Sequence, residues 1–407
     1  FGANVGSTRG IGTMLVRNAR DIIFPNVTAE RLVQLTGTGT TTLRGVIDTD
    51  STGCTHPGLT TDVGDIAAGT ADPTLPGSLA THTVDLGVDI ATVNVFVDST
   101  VYTVAGGVRL RATTGSDGVV TINNNGIINS DLDVILEGNS SGPAIVVNAA
   151  ASWRLGGVGE DLLVGTRRRF LNTSDADVEF RGNVSMVAGP IHQYADIFFI
   201  DTGSGAGHIT FTGSVEMNYS DLDVRSGEGN INFRGAVTEV HRLFLQETGE
   251  GTLGGASETT VTFVDNLSTE LLITASGPYN VDLLGNSSVI NLDRIQYYLP
   301  SGTTFRNTGR VTLGNEDGDV VSVMFALSTT AATITHIAGT VELGYGMSET
   351  AQPGIALSPV LLTPAGTTAE ILTNSWWPIT VRGGRCRYQC FSGRQQHTGA
   401  GNRRQHE

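Results

Sequence analysis

One phrase recurs along the sequence and constrains the fold more than any other feature. Residues 205–215 read Gly-x-Gly-x-Ile-x-Phe-x-Gly-x-Val, and residues 227–237 repeat this pattern. Residues 249–255 begin the phrase again, residues 37–47 hold a looser copy, and residues 178–184 keep its second half. The unit that runs from one copy to the next is too small to bury an apolar face alone, so neighbouring units have to stack. The repeat therefore predicts a solenoid.

The spacing within the phrase is that of a β-strand. Alternate residues of a strand point to opposite faces, so an Ile and a Phe two positions apart share one face and the polar residues between them share the other. The Gly-x-Gly start predicts a turn with positive φ, and the third glycine predicts a bend or a close approach of two backbones. We expect six residues of the two full copies to point inward in register: Ile209, Phe211, Val215, Ile231, Phe233 and Val237.

Strand-like segments fill most of the rest of the chain. A second phrase, Gly-x-Val-x-Leu-Gly, occurs at residues 309–314 and again, at a wider spacing, at residues 339–344. Convincing amphipathic helices are hard to find, whereas Val, Ile, Thr and Phe alternate with polar residues between Gly-, Asn-, Asp- and Ser-rich turns. The predicted fold class is all-β, a right-handed parallel β-helix with coils of about 22 to 30 residues. An array of β-sandwiches or a propeller is the alternative.

The charge of the chain excludes several classes of partner. All 24 basic residues are Arg, and 40 acidic residues give a formal charge of −16. A strongly acidic chain without Lys is a poor electrostatic partner for nucleic acid or anionic lipid, so neither is expected. No apolar run reaches the ~18 residues of a membrane-spanning helix, so no membrane insertion of this segment is expected.

The composition changes sharply near residue 382. Residues 382–407 contain six of the 24 Arg and one acidic residue, whereas residues 1–381 carry 18 Arg and 39 acidic residues, a charge of −21. We predict a single elongated β-helix domain over 1–381 and a basic tail over 382–407 that is disordered or translated out of frame. The chain begins with Phe1 and shows no signal-like segment, which favours an internal fragment of a larger protein.

The repeated phrases, together with residues 36–45 and 118–126, resemble those of the filamentous-haemagglutinin-type surface proteins of bacteria, over roughly residues 20–345. The resemblance implies a right-handed parallel β-helix in a very large secreted or surface-bound protein, with a role in adhesion or as an extended stalk. We accordingly expect a structural or adhesive segment located outside the cell or on its surface. The expected partners are a host surface, glycan or matrix, and further copies that associate end to end.

Three acidic residues are candidate ligands for Ca²⁺. Asp161 lies in Gly-Gly-x-Gly-x-Asp-x-Leu-x, which fits the calcium-binding nonapeptide of stacked turns. Asp317 and Asp319 lie in the most acidic turn of the chain, residues 315–319. The nonapeptide occurs once, although stacked copies normally share each ion, so a glycine turn with solvated acids is the alternative interpretation. No other cofactor is expected.

Carboxylate pairs raise an enzymatic alternative. Asp131 and Asp133, Asp221 and Asp223, and Asp317 and Asp319 each have a spacing that puts both acids on one face of a strand. Such a pair serves a β-helix polysaccharide lyase or glycoside hydrolase that acts on an acidic glycan. The competing interpretation is a polar outer face near a turn. Because acids are spread along the whole chain and Lys is absent, we predict no catalytic residues and no enzymatic activity.

Seven Asn-x-Ser/Thr sequons occur between Asn26 and Asn286. They follow from the abundance of Asn, Ser and Thr and decide nothing without knowledge of the host.

Overall fold

The fold is given by a computed structural model. It describes residues 3–6, 11–49, 86–103, 107–130, 134–148, 151–154, 167–172, 177–187, 197–202, 206–248, 251–252, 259–289, 302–324, 326–344, 354–362, 369–373, 379–381, 389–391 and 394–397. Within these ranges every regular element is a β-strand. No helix in this part of the chain is long and apolar enough to cross a membrane.

Thirteen strands, numbered here in chain order with all others, form one parallel sheet, the 13-stranded sheet. They are β2 (Ile22–Phe24), β4 (Thr40–Leu43), β7 (Asn94–Val97), β10 (Val120–Ile122), β13 (Ile145–Val147), β16 (Val178–Phe180), β19 (Ile209–Phe211), β22 (Ile231–Phe233), β26 (Thr260–Phe263), β28 (Asn280–Leu283), β31 (Arg310–Leu313), β34 (Ile334–Ile337) and β37 (Val360–Leu362).

A larger sheet, the 22-stranded sheet, alternates with it along the chain. Its strands are β1 (Ile11–Val16), β3 (Val27–Gln34), β5 (Ile47–Asp48), β6 (Leu86–Thr92), β8 (Thr100–Thr103), β9 (Gly107–Ala112), β11 (Ile127–Ser130), β12 (Val134–Gly138), β14 (Ala151–Arg154), β15 (Arg167–Asn172), β17 (Val184–Val187), β18 (Ile197–Asp201), β20 (Val215–Glu216), β21 (Asp221–Arg225), β23 (Val237–Leu245), β27 (Leu267–Thr274), β29 (Ser287–Val289), β32 (Val320–Met324), β35 (Gly339–Gly344), β38 (Ala369–Thr373), β40 (Gln389–Phe391) and β41 (Arg394–His397).

Two small sheets complete the described strands. β30 (Thr303–Thr304), β33 (Leu327–Ser328), β36 (Ile355–Leu357) and β39 (Ile379–Val381) form a parallel sheet. β24 (Glu247–Thr248) and β25 (Gly251–Thr252) pair antiparallel. Apart from this pair and the tail strands β40 and β41, the strand pairs are parallel. The described part of the chain is therefore all-β with mostly parallel strands, which is consistent with a β-solenoid.

The chain returns to the 13-stranded sheet at uneven intervals but in continuous register. The shortest interval separates the paired residues Ile22 and Thr41, and a much longer one separates Ile145 and Val178. The longest interval runs from Thr41 to Val95. The predicted interval of about 22 to 30 residues is therefore too narrow. The paired strands of this sheet keep nearly equal lengths despite the uneven intervals between them.

The six residues predicted to point inward are all fully buried. Ile209 pairs with Ile231 and Phe211 with Phe233 in the 13-stranded sheet, and Val215 pairs with Val237 in the 22-stranded sheet. In-register parallel strands lie about 4.8 Å apart, so that identical rings on neighbouring strands can stack.

The aromatic column contains four stacked rings: Phe180, Phe211, Phe233 and Phe263. Their centroids are 4.6, 4.7 and 4.6 Å apart along the column, with interplanar angles of 6°, 9° and 6°. Since Phe211 and Phe233 stack directly, the repeats share one core.

The glycines of the phrase serve close approach rather than positive φ. A Cβ added to Gly235 would lie 2.7 Å from the carbonyl carbon of Gly213 on the preceding repeat, and one on Gly229 would collide with the carbonyl group of Gly207. Positive φ among the described glycines occurs only at Gly6, Gly314 and Gly339. For the described glycines of the Gly-x-Gly start the prediction of positive φ is therefore wrong, whereas the close approach predicted for the third glycine is present at Gly235.

Strand pairing changes direction in the tail. β41 pairs antiparallel with both β38 and β40, whereas β38 pairs parallel with β35 on its other side. The change follows the shift in composition at residue 382. The division into residues 1–381 and 382–407 stays a prediction.

Candidate functional site

The acidic turn at residues 315–319 follows β31. The Asp319 carboxylate accepts hydrogen bonds from the backbone N–H groups of Asn315 and Glu316 at 2.7 and 2.9 Å, which closes the turn on itself. Asp317 is exposed. The residues the structure describes hold no group of three or more His, Cys, Asp or Glu that could bind a metal. Asp161 lies outside the described residues, as do Asp131 and Asp133, so Ca²⁺ binding stays a prediction.

The third carboxylate pair, Asp221 and Asp223, lies on β21. Leu222 and Val224 of that strand point into the core, so the two acids and Arg225 lie on its opposite face. Asp221 is nevertheless only 1% exposed and Asp223 only 6%. The acids thus lie on the outer face close to the turn at Asn218 and Tyr219, as the competing interpretation has it, but they are buried there. Both acids lie in the middle of the 22-stranded sheet, and Phe199 and Phe244 flank Asp223 on the two neighbouring strands.

Asp221 is held by two basic side chains of the next strand. Its Oδ1 lies 2.9 Å from Nδ1 of His241, and the guanidinium of Arg242 contacts both carboxylate oxygens, with Nε at 3.0 and 2.9 Å. The Arg242 guanidinium also lies over the ring of Phe244, 5.6 Å from its centroid, which adds a cation–π contact. Burial of a charge costs much less when it is paired and hydrogen-bonded in this way.

His241 lies between two acids of different strands. Its Nε2 is 4.0 Å from Oε2 of Glu270 on β27, and the side chains of His241, Asp221 and Glu270 are 0, 1 and 3% exposed. A bulge in β23 creates this arrangement, because the register with β27 shifts by one residue between Val237 and Val240. Glu239 within the bulge has a φ of 55°, an uncommon conformation for a residue other than glycine.

The Asp221–Arg242 pair is one of four similar pairs between neighbouring strands. Asp89 binds Arg109 at 2.8 Å and Arg111 at 3.3 Å, and Asp282 binds Arg310 at 2.6 Å. Asp201 binds Arg225 directly across the sheet. In each case the arginine follows the acid by 20 to 28 residues, on the next strand of the same sheet. The planar guanidinium suits this role, since it can reach both oxygens of a carboxylate.

Two side chains outside the core, His336 and Asp117, have shifted pKa values. Burial lowers the pKa of His336, and the neighbouring charge of Arg310 lowers it further, while Asp282 acts in the opposite direction. Hydrogen bonds lower the pKa of Asp117, first from the backbone N–H of Ser141 and then from the hydroxyl of Ser140.

The buried cluster links neighbouring strands through ion pairs and hydrogen bonds. A carboxylate that serves as a nucleophile or base has to meet its substrate, and glycoside hydrolysis needs two carboxyl groups on either side of the scissile bond. Asp221 instead directs both oxygens at His241 and Arg242. Asp221 and Asp223 were identified from the sequence, whereas His241, Arg242 and Glu270 were not. The sequence signal that could have revealed such pairs is an arginine that follows an outward-facing acid by about one repeat.

Comparisons with protein families, curated proteins and solved structures give no further guidance. The resemblance to filamentous-haemagglutinin-type proteins therefore rests on the repeated phrases alone. No family model, curated protein or solved structure matches this chain.

Proposed function

We propose that this chain is a right-handed parallel β-helix that serves as a structural or adhesive segment of a large secreted or cell-surface bacterial protein. The observation that carries the proposal is the unbroken register of the 13-stranded sheet. Each strand adds about 4.8 Å, so twelve steps extend over roughly 58 Å. A chain built this way gains length with each repeat. The strong preference of parallel strands for right-handed connections supports the right-handed form.

The outward face of the 13-stranded sheet supports an adhesive role. Part of its middle column carries Thr210, Asn232, Thr262 and Thr312, which are half-exposed, with the buried Asp282 between the last two. Repeated hydroxyl and amide groups suit many weak contacts with a host surface, glycan or matrix, since linked weak contacts add up to useful avidity. The charge of −21 over residues 1–381 keeps such a β-rich segment soluble.

The ends of the same column support end-to-end association of copies. Ile23 and Leu361 occupy its first and last positions, and they are 43% and 45% exposed. Both residues belong to the outermost strands of the described 13-stranded sheet, β2 and β37, and an edge strand is a template for pairing with a further strand. Sedimentation over a range of concentrations tests this contact, and a single monomeric species at all concentrations would argue against it.

The alternative function, a lyase or hydrolase that acts on an acidic glycan, has less support. The best-placed acids, Asp221 and Asp223, are buried, and the acidic body repels an acidic substrate. Incubation with acidic polysaccharides tests this alternative through the release of reducing or unsaturated ends. Product that disappears in Asp221→Asn and Asp223→Asn variants, while both variants stay folded, would establish it.

The proposed function is tested by removing one repeat. Val261 and Val281 occupy equivalent positions, so deleting residues 261–280 lets Ile231 pair with Val281. We expect this variant to fold, whereas deletion of residues 261–270 removes half a repeat and disrupts the stack. Displayed on a non-adherent bacterium, the parent chain should confer binding to matrix or glycan, and the deletion of the whole repeat should keep or modestly reduce it. If the displayed chain confers no binding, the adhesive role is contradicted. If the number of repeats also has no effect on the reach of a domain attached to its tip, the structural role is contradicted as well.

A further inference from the structure

Unusual backbone conformations concentrate in one stretch of the chain, around β21 and β23. Among the residues that the structure describes, the residues other than glycine with positive φ are Asn218, Tyr219, Glu239 and Gln246. The left-handed region is uncommon for such residues, and backbone strain of this kind tends to collect where a protein performs chemistry. The stretch therefore invites a search for a reactive group.

Asn218 and Tyr219 form the centre of a tight turn. Their φ angles are 46° and 63°, and the N–H of Ser220 closes the turn by donating to the carbonyl oxygen of Met217 at 2.9 Å. A turn with positive φ at both central residues is dominated by Gly, Asn and Asp. Asn218 suits this geometry, whereas the bulky Tyr219 is strained in it.

Hydrogen bonds to the next repeat hold the strained turn in place. The N–H of Tyr219 donates to the carbonyl oxygen of Glu239 at 2.5 Å. On the other side of the same peptide bond, the carbonyl oxygen of Ser220 accepts the N–H of His241 at 3.1 Å. A residue stays in a strained conformation only where its surroundings fix it in this way. The strain is thus confined to the segment that ends at Ser220.

Ser220 carries a buried hydroxyl group that is not committed to any hydrogen bond. The residue is fully buried, and its Oγ has no hydrogen-bond partner among the residues that the structure describes. Buried hydroxyl groups almost always have such a partner, so this exception needs an explanation. A serine oxygen can reach the carbonyl carbon of the residue before it, and here that residue is the strained Tyr219.

We propose that Ser220 cleaves the chain at its own peptide bond to Tyr219. Oγ of Ser220 bonds to the carbonyl carbon of Tyr219, the bond from that carbon to the Ser220 nitrogen breaks, and the hydroxyl proton moves to that nitrogen, which becomes an amine. Water then cleaves the resulting ester: its oxygen completes the Tyr219 carboxyl group, and a proton returns to Oγ. Breaking the peptide bond releases the strained turn, which lowers the barrier to the first step.

Thr103 provides a matched internal control. It also follows a tyrosine, it is fully buried, and its hydroxyl group likewise has no hydrogen-bond partner among the described residues. Tyr102 and Thr103, however, both lie within the regular strand β8. Because the hydroxyl group is equivalent and the strained turn is missing, the bond between Tyr102 and Thr103 should stay intact.

Strand pairing should keep the two fragments together after cleavage. β20 precedes the cleaved bond and pairs with β23, which follows it. β21 follows the bond and pairs with β18, which precedes it. The fragments are thus interlocked in the sheet and should separate only under denaturing conditions.

The test incubates the purified, folded full chain at neutral pH, with and without hydroxylamine, which attacks esters. Denaturing electrophoresis and intact mass should show two fragments, residues 1–219 and 220–407, while size-exclusion chromatography of the native protein shows one species. Hydroxylamine should accelerate the cleavage. Peptide mapping should find no new end between Tyr102 and Thr103.

Two variants separate the nucleophile from the strain. Ser220→Ala removes the nucleophile and should abolish cleavage. Tyr219→Gly keeps the nucleophile, and glycine adopts positive φ without strain, so this variant should fold and cleave more slowly. The expected reduction is at most about 5- to 30-fold, the factor that corresponds to about 1–2 kcal/mol for a residue in the left-handed region.

Several results would overturn the proposal. A chain that stays whole after prolonged incubation with hydroxylamine would do so, as would equal cleavage of Ser220→Ala, which points to a contaminating protease. An unchanged rate in Tyr219→Gly, or equal cleavage between Tyr102 and Thr103, would also do so, because the strained turn would then not be the cause.

Discussion

The Phe column offers the sharpest test of repeat stacking. Phe233 is fully buried between Phe211 and Phe263, with ring centroids 4.7 and 4.6 Å away. Replacement of a buried Phe by Ala costs about 3–5 kcal/mol, and each stacked pair contributes about 0.5–1.5 kcal/mol beyond burial. Two pairs are lost in Phe233→Ala, so we expect a cost near the upper limit, about 5 kcal/mol. Phe233→Leu fills most of the space and should cost about 1–3 kcal/mol.

The expected loss is local as well as large. Repeats in a stacked array contact mainly their nearest neighbours, so destabilisation should decay along the sheet. In hydrogen exchange followed by mass spectrometry, Phe233→Ala should lower protection in β19, β22 and β26 and leave β4 unchanged. Leu313→Ala, in the same column, should shift the loss toward β28, β31 and β34. Uniform loss of protection over the whole chain, or no loss in β19 and β26, would refute neighbour-by-neighbour stacking.

Three further predictions concern the glycines, the buried cluster and pH. Gly235→Ala should lower the free energy of unfolding in urea by about 1–3 kcal/mol or more, because the added Cβ meets the Gly213 backbone. Gly318→Ala should be nearly neutral, because an added Cβ there meets nothing within 4 Å. Equal effects of the two substitutions would contradict the close approach. Asp221→Asn should cost about 3–5 kcal/mol, since it removes the buried charge that His241 and Arg242 both contact, and a cost below about 1 kcal/mol would show that the cluster does not tie the strands together. The pKa of His336 is lowered in the folded chain, so the unfolded chain binds the proton first as pH falls. The stability that neutral His336 contributes is therefore complete above the ordinary pKa of 6.5 and is lost as pH falls through that value. The wild type should therefore lose more unfolding free energy than His336→Gln between about pH 8 and pH 5, and parallel pH profiles would contradict this.

The regular part of the fold follows from the sequence, and the irregular part does not. Alternation within the phrase and its repetition are enough to predict that Phe211 and Phe233 share a core, because both signals are local. The uneven spacing of the strands escapes such reasoning, since insertions in the connections leave the strand pattern unchanged. The Gly-x-Gly start was assigned the wrong cause because a turn with positive φ and a close backbone approach both select glycine, whereas the close approach predicted for the third glycine is present at Gly235.

The buried cluster illustrates a second limit. Asp221, His241 and Glu270 lie on three different strands and are far apart in the sequence, so no local motif links them. Their meeting depends on the bulge at Glu239, which shifts the register by one residue and turns His241 toward Glu270. A one-residue shift of this kind is set by strand pairing, and the sequence of β23 alone shows no turn residue that would reveal it.

Distances between spin labels on the outward face test whether successive repeats add one strand each to a continuous parallel stack. Thr42, Thr210 and Thr312 are half-exposed and belong to one column of paired residues, with five strand steps from the first to the second and nine from the first to the third. With the native cysteines replaced by Ser, pulsed electron paramagnetic resonance should give about 24 Å for the Thr42/Thr210 pair and about 43 Å for the Thr42/Thr312 pair, at about 4.8 Å per step. Similar distances for the two pairs, or a longer distance for the pair with fewer steps, would contradict the stack.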